Sequence, residues 1–112
     1  MNLDDARTVL EWMHWDWECL LPHPDGVTFD EVDPMSGNSG FAFRLDANWI
    51  FRTLIPALEE RLKCGEIAIW FKTEDDEDHL VTLECEEGRA DGYGPTFEAA
   101  VISAAAKAVR NV

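Results

Sequence analysis

Positive charge is scarce in this chain. Nine Lys and Arg stand against 23 Asp and Glu in 112 residues, a formal net charge of −14. Nucleic-acid binding runs through cations on phosphate, so direct binding of DNA or RNA is not expected, nor is attachment to an anionic membrane. Long apolar runs are also missing, and none approaches the roughly 20 residues of a spanning helix. The N-terminal MNLDDART has no basic stretch followed by an apolar one, so no secretory leader is expected. Cysteine is sparse. Cys19, Cys64 and Cys85 are odd in number, widely spaced and never paired as CxxC. That predicts reduced thiols in a cytoplasm, with neither a disulfide framework nor a zinc site.

The motifs of common catalysis are absent as well. No G-x-S-x-G, H-E-x-x-H or P-loop occurs, so no catalytic residue, metal or cofactor is expected and the reading is non-enzymatic. His14, His23 and His79 have acids nearby, which is commonplace in so acidic a chain. Cys85 sits among Glu84, Glu86 and Glu87, neighbours that disfavour a thiolate nucleophile.

What is present is a core. Hydrophobic residues make up 46% of the chain, enough for one folded domain over residues 1–112. Ala6, Val9, Leu10, Met13, Trp17 and Leu20 recur at helical spacing and predict a first helix over about 4–20. On that helix Trp12 and Trp15 fall on a second apolar stripe, a possible interface with a partner or a second copy. LPHPDG breaks the helix, and VTFDEV and FAFRL read as a hairpin around the loop DPMSGNSG. Asp30 and Asp33 lack calcium-loop spacing and read as turn residues. Asp46 caps the next helix, in which Ile50, Leu54, Leu58 and Leu62 form the buried stripe and Gly65 is the expected stop. Pro56 predicts an irregularity near Arg52 to Ile55. EIAIWFK is apolar on both faces and predicts a central strand covered on both sides. TEDDED is a hairpin tip, HLVTLECEE the return strand, and GRADGYGP a connection with room for another short strand. Thr96 caps an alanine-rich final helix. The order α-β-β-α-β-β-(β)-α predicts an α+β fold, an antiparallel sheet with helices packed on it in a layered α/β sandwich.

The helix ending LEERL, the strands around IWF and the GYG-x-TFEAA entry into the last helix carry a likeness. Over residues 46–112 the chain resembles the phage α/β/α-sandwich domain proteins, small proteins of phages and prophages. The resemblance implies a layered fold and a phage origin, with no catalytic residues to carry over.

Two places invite a functional reading. Gly92 and Gly94 before Thr96 form a possible ligand turn at a helix start, although a tight turn needing positive φ is the simpler reading. The acids are the stronger feature. Glu74, Asp75, Asp76, Glu77 and Asp78 crowd one hairpin tip. Glu84 and Glu86 are expected on one face of the return strand with Glu66 across from them, and Glu87 follows. Solubility needs only about 2–8 net charges, so this excess calls for another reason. The expected partner is a basic host protein or nucleoprotein complex, whose nucleic-acid channel the carboxylates occupy as phosphate mimics. Within phage biology that describes an inhibitor of a host defence complex, anti-CRISPR-like, acting in the host cytoplasm. The alternatives are a protein sequestering a nucleotide signal at the glycine turn, and an oligomerisation module built on Trp12 and Trp15. The sequence leaves the oligomeric state open.

Overall fold

Asn2 starts the first helix. Its side-chain oxygen accepts the N–H groups of Asp4 and Asp5 at 2.8 and 3.3 Å, and those two acids sit at the positive helix end. In the computed structural model, which describes residues 1–70 and 77–111, this helix α1 spans Leu3–Trp12. It stops well short of the expected residue 20. His14 turns left-handed at φ 71°, its N–H donates to the Glu11 carbonyl, and the Trp15 N–H donates to Leu10 at 2.9 Å. This doubly bonded terminus usually places glycine at the left-handed position. A histidine there leaves no mark in the sequence.

Past that turn, Asp16 caps a short 3₁₀ turn at Trp17–Cys19, which feeds β1 (Leu20–Pro22). β1 pairs antiparallel with β2 (Thr28–Val32), and β2 with β3 (Ser39–Arg44). Between Phe29 and Asp30 the register slips, leaving Ala42 of β3 as an extra residue. The turn between β1 and β2 is closed by Asp25, and the loop after β2 by Asp33, which accepts the Met35 N–H at 2.9 Å. The turn reading holds for Asp33, whereas Asp30 lies within β2, paired with Leu21 and Phe41.

Asp46 caps the second helical region through the Trp49 N–H. It runs as α2 (Ala47–Trp49), a π turn (Ile50–Leu54) and α3 (Ile55–Arg61). The irregularity falls where Pro56 predicts it. Proline lacks an N–H and its ring presses on the preceding turn, and the wider π turn relieves both. The stop differs from expectation. Lys63, at φ 55°, makes the left-handed exit, and Gly65 already lies at the entry to the next strand.

β4 (Glu66–Trp70), β5 (His79–Cys85) and β6 (Gly88–Gly94) form a second antiparallel sheet in that order. Helix α4 (Phe97–Arg110), capped by Thr96, lies across β5 and β6 and against α1. Six of its eight buried residues are alanine, the others being Val101 and Ile102. One continuous core joins both sheets to the helices, with Phe29, Leu45, Ile50, Leu83 and Ile102 fully enclosed. The α+β class and the element order follow the sequence, with the extra strand present as β6 and β1 added. Two corrections go with this. β4 is an edge strand, where a central one was expected, because nothing among the described residues pairs with its outer side. Cys64 and Cys85, expected as free thiols, are bonded to each other. The pairing of Glu66 with Glu84 brings the start of β4 to the end of β5, so the two cysteines flank the same rung.

Candidate partner-binding surface

Alternation along the second sheet sends Ile67, Ile69, Val81, Leu83, Ala90 and Gly92 toward α4. The remaining residues make three rungs on the opposite face. Trp70, Leu80 and Tyr93 form one rung across the three strands, Ala68, Thr82 and Asp91 the next, and Glu66, Glu84 and Arg89 the third. Among the described residues no helix covers this face, and Trp70 and Tyr93 are 62% and 55% exposed. Large aromatics left in water on one face of a rigid sheet, here on the two strands either side of Leu80, are the kind of anchor on which binding energy concentrates.

The middle and third rungs are polar and tied together. Thr82 donates its hydroxyl to Asp91 at 2.9 Å, and the Arg89 guanidinium lies 3.0 Å from Asp91 and 3.8 Å from Glu84. The Arg89 hydrogen bond first, and that of Thr82 second, hold the Asp91 carboxyl below its usual range. Glu66 does stand across from Glu84, as expected, but Arg89 on the far side of Glu84 offsets the like charges.

The other acids divide between the two ends of β5. Glu77 and Asp78 are exposed just before it, while Glu86 and Glu87 are exposed in the two-residue turn to β6. Glu86 therefore does not project from the strand beside Glu84, because β5 ends at Cys85. Glu74, Asp75 and Asp76 lie outside the described residues. The acids bracket the aromatic rung along a strand of seven residues, about 20 Å, rather than forming one cluster.

The other candidate sites have structural uses. Trp12 lies under the Arg61 guanidinium at 4.0 Å, and Arg61 also donates to the Trp12 carbonyl at 2.8 Å. Trp15 packs on Phe43 at 4.7 Å, in an aromatic group that includes Trp17, Phe29 and Trp49. Because α1 ends at Trp12, the second stripe does not exist, and both tryptophans pack within the chain. The glycine turn is likewise corrected. Gly92 and Gly94 belong to β6, neither has positive φ, and both are buried. A Cβ on Gly92 would overlap the backbone of Ala100 and Ala104, and one on Gly94 would come within 2.7 Å of the Ala99 side chain. The space a ligand would need is filled by α4, and Thr96 is committed to its cap.

His23 lies 3.0 Å from Asp30, while His14 serves the end of α1. Cys19 reaches Asp16 at 3.6 Å, and partial desolvation, then the acids around it, push its thiol up. No group of metal-ligating residues occurs among the described residues. No helix there is long and apolar enough to cross a membrane.

Sequence reasoning missed Trp70 and Tyr93, which it placed in a covered strand and in a connection. The order of strands in the sheet, rather than any local pattern, exposes them. Compared with known proteins, the chain matches no family model, and no curated protein or solved structure is similar to it.

Proposed function

We propose that this is a non-enzymatic binding protein that engages a basic host protein through the open face of β4, β5 and β6. The observation that supports the reading best is the Trp70–Leu80–Tyr93 rung, with Trp70 and Tyr93 exposed and carboxylates at both ends of β5. Aromatics supply contact area, and the carboxylates supply steering and selectivity toward a cationic surface. A host surface of that kind is the phosphate-binding channel of a nucleic-acid-handling complex, and the acids mimic the backbone it normally holds. The likeness of residues 46–112 to small phage proteins gives the setting, an anti-CRISPR-like inhibitor of a defence complex in the host cytoplasm. The glycine-turn and tryptophan-stripe alternatives have less support, since α4 packs against Gly92 and Gly94 and Trp15 packs on Phe43.

The test is inhibition of host restriction and CRISPR nucleases on a DNA substrate. The wild-type chain is expected to bind a target complex in competition with DNA and to block cleavage. A variant carrying Glu66→Gln, Glu77→Gln, Asp78→Asn, Glu84→Gln, Glu86→Gln and Glu87→Gln should keep its far-UV spectrum and lose inhibition. Undiminished inhibition by that variant would refute mimicry.

A further inference from the structure

We propose that the outer edge of β4 takes up an extended segment of the basic partner as a fourth strand, one alternating apolar residues with Lys or Arg. The inference rests on the reading above and specifies its mode of binding. The backbone supplies the first reason. Lys107 Nζ donates to the Asp91 carbonyl at 2.7 Å, so that carbonyl points away from β5. Alternation then directs Ala90 and Gly92 to Leu83 and Val81, and directs Leu80, Thr82 and Glu84 to β4. Within β4 the groups of Glu66, Ala68 and Trp70 are used by β5. Those of Ile67 and Ile69 face outward, and no backbone bond to them occurs among the described residues.

Other edges are protected against such pairing. Lys107 covers that of β6, β1 is three residues long and ends in Pro22, and the extra Ala42 interrupts β3. β4 has none of these devices: five residues, no proline, glycine or lysine, and no bulge.

The two faces of the edge specify the occupant's side chains. Toward the helices, α4 stops short of β4 and leaves a groove of about 450 Å³ whose apolar wall is Phe51, Ile55, Ile67 and Ile69, with Glu59, Cys64 and Gly65 completing the lining. Phe51 stacks on Phe97 at 5.6 Å yet stays 54% exposed. Every second residue of an added strand enters this groove, and apolar residues fit the wall made by Phe51, Ile55, Ile67 and Ile69. The intervening residues lie beside Glu66 and Trp70 on the open face, where Lys or Arg gains an ion pair at one and a cation–π contact at the other. A second copy of this chain is the poorer fit, since it sets one −14 molecule against another.

Amide hydrogen exchange followed by NMR tests this, with a blocked Lys-Val-Lys-Val-Lys-Val-Lys peptide as probe. At ten times the dissociation constant found by shift titration, exchange at Ile67 and Ile69 should slow about tenfold. The same peptide N-methylated at alternate residues, so that it cannot complete the ladder, should not slow it. Shifts confined to Leu80 and Tyr93, with Ile67 and Ile69 exchange unchanged, would overturn strand addition and leave the open-face reading standing. Slow exchange at Ile67 and Ile69 in the free protein, increasing with its concentration, would assign the edge to a second copy. Absence of any shift also overturns the proposal, and the nuclease assay then decides the wider reading separately.

Discussion

Asp25 closes the turn between β1 and β2 with one carboxylate. Its oxygens accept the Thr28 hydroxyl at 2.6 Å and the N–H groups of Thr28 and Val27 at 2.8 and 2.9 Å, and Arg44 lies 3.6 Å away. The Thr28 hydroxyl contributes most, the backbone N–H groups next, and together they hold the carboxyl far below its usual range. A carboxyl whose pKa is depressed on folding adds stability above its unfolded pKa, about 4, and loses it as pH falls toward the folded value. Asp25→Asn keeps an oxygen for the turn but not the charge. Its melting temperature should lie below wild type at neutral pH, with the gap closing as pH falls from about 5 to 2. A gap constant across that range would mean that the charge contributes nothing. Other residues resolve questions the sequence raises. The tryptophans of EWMHWDW are packing residues because His14 turns the chain out of helix before Trp15. Gly92 is glycine because α4 lies where its Cβ would be.

At the scale of elements, the Cys64–Cys85 bond ties the start of β4 to the end of β5 across a separation of 21 residues. Closing a loop of that length in the unfolded chain stabilises the fold by about 3 kcal/mol. Reductant should lower the urea midpoint of wild type by a corresponding amount, and leave a Cys64→Ser/Cys85→Ser variant unchanged. A reducing cytoplasm opens such a bond. The proposed function therefore requires the reduced protein to remain folded, and the same titration measures that directly. The elements also divide by how readily they are seen in sequence. Asp46, Pro56 and Thr96 act through local chemistry, so the second helical region, its irregular turn and the last helix are legible. β4 is not, since Ile67, Ala68 and Ile69 read alike in a central strand and in an edge strand beside a groove. Strand order is a long-range outcome, and with it went the exposure of Trp70 and Tyr93. At the candidate site the pairing of Glu66 with Glu84 was legible, whereas the place of Glu86 in the turn and the exposed aromatics were not.

Across the whole molecule, one excess of charge acts on two equilibria. The net −14 repels itself when the chain is compact, and more weakly when it is extended. The described ion pairs are few and mostly at the surface, such as Arg7–Glu11 and Arg110–Asp5, and offset little of this. Salt screens charges over about 10 Å at 0.1 M, so it relieves the repulsion between acids spread over the surface. The isolated protein should therefore melt at a higher temperature in 0.5 M than in 0.05 M sodium chloride. The complex with a basic partner depends on attraction by the same carboxylates, and its dissociation constant should rise over the same range. Opposite signs in the two measurements are the expected result, and the variant neutralised at six carboxylates should flatten both. If binding were insensitive to salt while stability responded, the acids would serve solubility alone. Recognition would then rest on Trp70, Tyr93 and the free edge of β4.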